Sequence, residues 1–203
     1  MNTIKIENKT IAPSKVVCIG RNYVDHIKEL NNEIPTDIVF FIKPNSTISN
    51  VLIFPKGHES CHYEAEISFV IENNKITAVG FGLDLTLREI QSKLKAKGLP
   101  WERAKSFHNA AVFSDFVNID DIEDLSVELE INGELKQKGG VDLMIHKPYD
   151  AITEALTFTS FEDGDILMTG TPKGVGKFNV GDIFIGRILN GKDVIIEEEF
   201  IVQ

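Results

Sequence analysis

Three carboxylate residues are the part of this chain best suited to chemistry. Glu64 and Glu66 stand one residue apart, and Asp84 ends a later apolar run. On a β-strand the two-residue period would aim Glu64 and Glu66 at the same face. Carboxylates that meet at one point repel each other, so such a cluster needs a cation among them. Oxygen ligands of this kind are those that Mg²⁺, Mn²⁺ or Ca²⁺ prefer.

The alternative is that these carboxylates are ordinary surface charge, because Glu-x-Glu is common on the solvated face of a strand. The neighbouring residues argue against that alternative. Glu66 is followed by the largely apolar run 67–71, and Asp84 follows Phe81 and Leu83. Both segments are typical of buried strands. The pattern therefore predicts a magnesium-type metal site.

A second candidate for chemistry is the pair His26 and Glu29, three residues apart. One helical turn would bring the two side chains together. A carboxylate beside an imidazole orients the ring and favours proton uptake, which a general base for water requires. The alternative is a surface i,i+3 pair of the kind common on helices.

Two lysines and a glycine-rich loop complete the candidates. Lys43 ends an apolar run and Lys105 follows a helical pattern, and a carboxylate-rich metal site with an anionic substrate needs such cations nearby. The loop 169–177 is not a phosphate loop, since five residues rather than four separate Gly170 from Gly176 and no helix pattern follows. A tight loop whose threonine hydroxyls and amides face a ligand fits this segment better.

Short apolar, β-branched runs between turn signals predict the elements that must position these residues. Asn132-Gly133 is the strongest hairpin signal, and Asp163-Gly164 and Asn190-Gly191 indicate two more tight turns. The chain is therefore predicted to be strand-dominated, of the α+β class. The predicted strands are 15–19, 38–43, 66–72, 76–83, 127–131, 165–169, 182–189 and 194–202.

Helices are predicted to be few. The clearest starts at Thr86, whose hydroxyl would cap the helix with Glu89 as its capping-box partner, and Gly98 would end it. Shorter helices are predicted over 23–30 and 151–158.

Composition limits the classes of function. The chain has 203 residues and a formal net charge of −10, which disfavours nucleic acid and anionic membranes as partners and favours small-molecule chemistry. No apolar run approaches the roughly 18 residues that would span a bilayer, and no signal peptide is visible, so a cytoplasmic location is expected. No linker interrupts the chain, so residues 1–203 are expected to form a single domain. Cys18 and Cys61 are predicted to be buried free thiols.

Six ordered motifs together resemble the fumarylacetoacetate hydrolase family, in particular its short, single-domain acylpyruvase and oxaloacetate decarboxylase branch. The resemblance runs from about residue 15 to the C-terminus. The motifs are Gly20-Arg21-Asn22-Tyr23 with His26 and Glu29; Lys43-Pro44; His62-x-Glu64-x-Glu66; Leu83-Asp84-Leu85-Thr86 with Arg88 and Gln91; Gly98-Leu99-Pro100-Trp101 with Ala104-Lys105-Ser106-Phe107; and the segment Thr169 to Gly176.

The resemblance implies a role for each matching residue. Glu64, Glu66 and Asp84 would hold Mg²⁺ or Mn²⁺, the His26–Glu29 pair would activate water, and Lys105 would be catalytic. It also implies a mixed, strand-dominated β-roll fold with few helices and a homodimeric assembly. The residues implied to line the substrate site are Arg21, Asn22, Lys43, Gln91, Thr169, Gly170 and Thr171.

The implied substrate is a small 2-oxo acid. In acylpyruvate hydrolysis, water deprotonated by His26 would attack the distal carbonyl and release a carboxylate and a pyruvate enolate held by the metal. Lys105 and the loop 169–171 would stabilise the developing oxyanion. Decarboxylation of oxaloacetate gives the same enolate, so the sequence does not separate the two reactions. The alternatives are a hydratase or tautomerase acting on a 2-oxo-alkenoate or on oxaloacetate, and a metal-binding protein without catalytic activity.

Overall fold

The computed structural model describes residues 1–203, and strands dominate it. The strands are β1 (Ile4–Ile6), β2 (Lys9–Ile11), β3 (Lys15–Gly20), β4 (Val39–Pro44), β5 (Ile48–Ser49), β6 (His62–Tyr63), β7 (Ala65–Glu72), β8 (Lys75–Asp84), β9 (Ala111–Phe113), β10 (Val117–Asn118), β11 (Leu125–Ile131), β12 (Glu134–Gly140), β13 (Asp165–Met168), β14 (Gly176–Lys177), β15 (Ile183–Asn190) and β16 (Asp193–Ile201). The helices are α1 (Val24–Glu29), α2 (Arg88–Ala96), α3 (Glu102–Lys105) and α4 (Pro148–Ala155).

The predicted strand-dominated α+β class is confirmed. Each of the eight predicted apolar runs forms a strand, and the observed ends lie within two residues of the predicted ones. The period-2 pattern of β11 is seen directly in its burial, because its residues alternate between buried and half-buried from Leu125 to Ile131. By contrast, β7 is buried on both faces along most of its length, which is why its sequence is a nearly continuous apolar run.

Two sheets form the body of the protein. The larger has the strand order β4-β3-β13-β7-β8-β9-β5, with β10 also paired to β8. It is mixed, since β3 and β13 run parallel, as do β5 and β9, while its other pairs are antiparallel. The smaller sheet is antiparallel, in the order β12-β11-β15-β16. Two further pairs, β1 with β2 and β6 with β14, complete the topology.

The main core is a cluster of 33 buried hydrophobic residues to which both sheets contribute. Phe81 of β8 stacks on Phe200 of β16 with ring centroids 6.1 Å apart. Gly186 of β15 faces the same ring, and a Cβ at that position would lie 2.5 Å from it. The glycine therefore lets the smaller sheet approach the larger one closely. A second cluster of 12 residues includes Val70 and Ile166 from the larger sheet.

The predicted hairpins are present. Asn132 and Gly133 join β11 to β12 with φ angles of 51° and 82°, the left-handed conformation that this two-residue turn requires. Asn190 and Asp193 pair across the turn between β15 and β16, in which Gly191 has a φ of 60°.

The three predicted helices are present, but the predicted capping box is wrong. The helix begins at Arg88, two residues after Thr86, and no side chain caps it. Thr86 instead lies in a β-bridge with His62, and its hydroxyl accepts a hydrogen bond from the Lys105 ammonium at 2.7 Å. A long-range polar contact has thus taken the hydroxyl that the local pattern assigned to the helix. Helix α3 was not predicted.

Cys18 and Cys61 are buried free thiols, as predicted. None of the helices has the length and apolar character that crossing a membrane requires.

Candidate active site

The three carboxylates converge where β7 begins and β8 ends. Glu66 lies opposite Gly82 in the β7–β8 register, and the amide of Asp84 donates a 2.9 Å hydrogen bond to the carbonyl oxygen of Glu64, just before β7. This pairing brings one carboxylate oxygen from each of Glu64, Glu66 and Asp84 within 4.8 Å of the others, and all three residues are buried. The antiparallel pairing of the consecutive strands β7 and β8 therefore builds the predicted cluster.

Cations contact two of the three carboxylates. The Lys105 ammonium lies 2.8 Å from Glu64 and 2.5 Å from Asp84, Lys43 lies 2.8 Å from the other oxygen of Asp84, and Arg88 pairs with Glu64. Burial opposes ionisation of Glu64, but Lys105 and Arg88 outweigh it and hold the pKa of Glu64 below its usual range. Burial also opposes the charge on Lys105, yet Asp84 and Glu64 raise the pKa of that lysine.

Glu66 differs from its neighbours because no cation pairs with it. Its one hydrogen bond comes from the amide of Gly170, at 2.7 Å. Burial, and then the charges of Asp84 and Glu64, raise the pKa of Glu66 well above its usual value. Three buried carboxylates with crowded oxygens and one member lacking a cation form a donor set that suits a hard divalent ion such as Mg²⁺ or Mn²⁺.

The His26–Glu29 pair forms on α1, as the spacing predicted. Nδ1 of His26 lies 3.2 Å from Oε2 of Glu29, and the ring lines the same cavity as the carboxylates. Glu29 is anchored from its other side, because the amide of Gly174 donates to both of its oxygens at 3.0 and 3.2 Å. With Nδ1 held by Glu29, the other ring nitrogen, Nε2, is the one available to exchange a proton in the cavity.

The two predicted lysines are both buried at the site, but they have different surroundings. Lys105 ends α3 and lines the cavity. Lys43 does not line it. Besides Asp84, the Lys43 ammonium donates to the backbone carbonyls of Leu85, Lys105 and Ala110. Lys43 therefore ties the backbone around Lys105 to Asp84.

The threonine side chains of the loop after β13 form hydrogen bonds with the protein backbone. The hydroxyls of Thr169 and Thr171 donate to the carbonyls of Ile67 and Ala65, each at 2.8 Å, which continues the contact of this segment with β7. Asn22 is likewise satisfied by backbone, since its amide donates to the carbonyls of Thr169 and His146. Of these residues only Thr171 lines the cavity.

The cavity thus contains some but not all of the predicted residues. It also contains residues that the sequence reasoning did not assign to the site. Lining residues among those predicted are Arg21, His26, Glu64, Glu66, Asp84, Gln91, Lys105 and Thr171, whereas Asn22, Glu29, Lys43, Thr169 and Gly170 lie behind them. The additional lining residues are Ile19, Gly20, Leu30, Asn32, Phe41, Arg88, Lys95 and Trp101.

One signal for the missed residues was present in the sequence. Arg88, Gln91 and Lys95 have the i, i+3, i+7 spacing of a single helix face. A polar face of this kind is usually solvated, so the spacing alone does not distinguish a cavity wall from a surface.

Comparison with known proteins gives consistent matches over most of the chain. The family model for the fumarylacetoacetate (FAA) hydrolase C-terminal domain matches residues 15–198. Oxaloacetate tautomerase YcgM of Escherichia coli strain K12 is 38% identical over 187 residues, covering 83% of this chain and 85% of that protein.

Solved structures match the fold over nearly the whole chain. A structure from Oleispira antarctica has a TM-score of 0.94 and 35% identity, with 100% of both chains covered. Fumarylpyruvate hydrolase from Pseudomonas aeruginosa, solved with Mn²⁺ and pyruvate, has a TM-score of 0.91 and 25% identity, covering 99% of this chain and 95% of that one. These matches confirm the mixed β-roll fold that the motifs implied.

Proposed function

The chain belongs to the fumarylacetoacetate hydrolase family, and we propose that it is a divalent-metal-dependent enzyme that interconverts the keto and enol forms of oxaloacetate. The observation that carries the proposal is one cavity lined by both the Glu64–Glu66–Asp84 trio and the His26 ring. The trio offers a place for a cation and His26 offers a base. The E. coli relative, named as an oxaloacetate tautomerase, supports this choice of reaction.

Mg²⁺ or Mn²⁺ held by Glu64, Glu66 and Asp84 would supply the Lewis acidity that makes a C–H bond beside a keto group easier to ionise. The other steps belong to side chains. Nε2 of His26 takes a proton from the CH₂ carbon of oxaloacetate and returns a proton to the keto oxygen, which yields the enol with no net change in the enzyme. Glu29, bonded to Nδ1, stabilises the imidazolium between the two transfers.

Lys105 stabilises negative charge on the oxygen during this reaction. Its ammonium is buried, lines the cavity and is already oriented by Glu64, Asp84 and Thr86. A positive charge that is already held in place costs no reorganisation when negative charge develops nearby. Lys43 supports this arrangement from behind, because it holds the Lys105 carbonyl and Asp84 together.

Acylpyruvate hydrolysis is the second candidate. The observation that favours it is the contact between the buried His26 ring and the more exposed Glu29 carboxylate, an arrangement that activates water for attack on a carbonyl. His26 would deprotonate water, the resulting hydroxide would add to the distal carbonyl, and cleavage of the C–C bond would give a carboxylate and the pyruvate enolate. The Pseudomonas relative, a fumarylpyruvate hydrolase solved with Mn²⁺ and pyruvate, supports this alternative. Oxaloacetate decarboxylation yields CO₂ and the same enolate without a water nucleophile.

Direct assays separate these reactions. We expect chelator-treated protein to be inactive. Added Mg²⁺ or Mn²⁺ should restore conversion of the oxaloacetate enol, which is followed by the decrease in its ultraviolet absorbance. Pyruvate should not form in matching amount. Pyruvate formed in step with loss of acetylpyruvate would establish the hydrolase instead, and pyruvate formed from oxaloacetate would establish the decarboxylase. No metal-dependent change in any of these substrates would contradict the proposal.

The expected homodimer, single catalytic domain and cytoplasmic location remain predictions. Light scattering on the purified protein measures its molar mass and so tests the predicted homodimer.

A further inference from the structure

One face of α2 lines the cavity along the whole length of the helix. Arg88, Gln91 and Lys95 all lie on this face and all contribute to the lining. Arg88 is at the end nearest the carboxylates, since it pairs with Glu64 and donates to Gln91. Lys95 lies seven residues further on, about 10 Å along the helix axis. The face therefore leads from the carboxylate trio toward a second cationic group.

Lys95 is half-buried and has no carboxylate partner. Its ammonium donates a 2.7 Å hydrogen bond to the side-chain oxygen of Asn32, a neutral group. This is notable in a chain with 31 acidic and 21 basic residues, where anionic partners are abundant. A half-buried ammonium with only a neutral partner retains the ability to bind an anion.

The net charge of the cavity lining also favours an anionic ligand. Its lining contains four cationic side chains, those of Arg21, Arg88, Lys95 and Lys105, against the three carboxylates. A divalent cation on the trio would increase this positive excess. A ligand with two negative charges compensates such a site better than a ligand with one.

Asn32 holds Lys95 in place through a fixed backbone. Helix α1 ends in a Schellman motif, in which Asn31 has a φ of 51° and the amide of Asn32 donates to the carbonyl of Ile27 at 3.0 Å. The helix that carries His26 therefore also fixes the partner of Lys95. The contact orients the ammonium at the cavity wall before any ligand arrives.

We infer that Lys95, held by Asn32, is the specificity residue that binds the distal carboxylate of a 2-oxo dicarboxylate and so selects it over 2-oxo acids with an uncharged end. The inference rests on the proposed function only for the 2-oxo acid end of the ligand. Lys95 is not a catalytic residue, because the distal carboxylate does not react in tautomerisation.

The test compares Lys95→Met with Lys93→Met. Lys93 lies on the same helix but is exposed and does not line the cavity, so it is a matched control. We expect K95M to lower kcat/KM for oxaloacetate about 10- to 100-fold, chiefly through KM, as expected for loss of a charge-assisted contact. Lys95→Arg should retain most of the activity, and K93M should match the parent protein.

Binding supplies a readout that does not need turnover. Trp101, the single tryptophan, lines the cavity, so its fluorescence reports ligand binding in the presence of Mg²⁺. 2-Oxoglutarate and 2-oxopentanoate have the same number of carbons and differ at the terminal group. We expect the parent protein to prefer 2-oxoglutarate and K95M to lose that preference.

The outcomes distinguish the two proposals. If oxaloacetate is not turned over but K95M abolishes the dicarboxylate preference, the specificity role stands and the proposed reaction fails. If oxaloacetate is turned over but K95M affects both ligands equally, or neither, the specificity role is overturned. If oxaloacetate is not turned over and neither ligand binds to the parent protein, both proposals are overturned.

Discussion

The amide of Gly174 donates to both carboxylate oxygens of Glu29, at 3.0 and 3.2 Å. The glycine-rich loop after β13 is thereby joined to helix α1, and Glu29 in turn contacts His26 at 3.2 Å. Through this chain of contacts the loop reaches the His26 ring at the cavity wall. Gly174 permits the contact because its φ is 100° and a Cβ there would lie 2.0 Å from the carbonyl oxygen of Lys136.

Gly174→Ala should therefore reduce kcat while leaving the fold intact. The methyl group would push the loop away from β12 and withdraw the amide from Glu29, so His26 would lose its orientation. Because small displacements of a catalytic group are costly, we expect kcat to fall about 10- to 100-fold with KM nearly unchanged. Steady-state kinetics with oxaloacetate and circular dichroism check this prediction.

Gly181→Ala is the matched control for that prediction. Gly181 also has a positive φ, 91°, but a Cβ there would meet no atom within 4 Å. It should show the backbone strain alone, about 1 kcal/mol, with normal kcat. Equal kinetic losses in the two variants would mean that the Gly174–Glu29 contact does not position His26.

His26→Ala should remove the proton transfer without removing the metal. We expect the enolisation rate to fall about 10²- to 10⁴-fold, the usual contribution of a general base, while Mg²⁺ binding measured by calorimetry stays near that of the parent protein. Hydrolysis of an acylpyruvate should be lost more completely than decarboxylation of oxaloacetate, since only hydrolysis needs activated water. Equal losses in these two reactions would contradict the proposed role of His26.

The fold could be predicted from the sequence where local pattern determines structure. Apolar period and length identified the long strands, and Asn132-Gly133 identified a hairpin, because these signals arise from neighbouring residues. The two- and three-residue strands were all missed, namely β1, β2, β5, β6, β9, β10 and β14, and β12 was indicated only through its hairpin. The pairing of β5, β6, β9, β10 and β14 depends on distant partners. Thr86 was misassigned for the same reason: Lys105, nineteen residues away, binds its hydroxyl.

The chemical groups of the candidate site could be predicted from the sequence, but which of these residues line the cavity could not. Residue type and spacing identified the carboxylates and the His26–Glu29 pair. Which residues line the cavity and which lie behind it depends on the long-range packing of β7, β8, α2 and α3. The sequence therefore did not show that Lys43 is enclosed by backbone carbonyls, nor that Lys95 lies at the cavity wall.

Glu66→Gln should stabilise the metal-free protein and weaken its response to metal. In the absence of an ion, Glu66 is a buried carboxylate that Asp84 and Glu64 repel and that no cation neutralises. Removing its charge relieves that repulsion, so the Tm without metal should rise, whereas the increase in Tm produced by Mg²⁺ should shrink or vanish. Thermal unfolding with chelator and with excess Mg²⁺ measures both effects.

Glu72→Gln controls for the loss of a charge on the same strand. Glu72 ends β7, far along the strand from the trio, and should change neither Tm value appreciably. A Glu66→Gln variant that responds to Mg²⁺ like the parent protein would remove Glu66 from the metal site.

Asp165, which does not line the cavity, should make the free energy of unfolding depend on pH. At the start of β13 its Oδ1 accepts from the amides of Ser14 and Lys15, at 2.7 and 3.1 Å, and its Oδ2 from the Lys15 ammonium and the Glu162 amide, at 2.5 and 2.9 Å. Burial opposes ionisation, but these hydrogen bonds prevail and lower the pKa of Asp165. Local sequence does not indicate this role of Asp165, because its hydrogen-bond donors come from two separate segments.

The sign of the pH effect follows from that lowered pKa. The stabilisation is complete above the unfolded-state pKa, about 3.9, and is lost as the pH falls through the lower pKa of the folded state. Asp165→Asn replaces one acceptor by an amide group that faces donors, so it should cost about 2 to 3 kcal/mol at pH 7. Urea unfolding should show that this deficit shrinks as the pH is lowered from about 5 to about 3, while Asp120→Asn, at an exposed site, changes little at any pH. A deficit that stays constant across this range would show that the charge of Asp165 does not stabilise the fold.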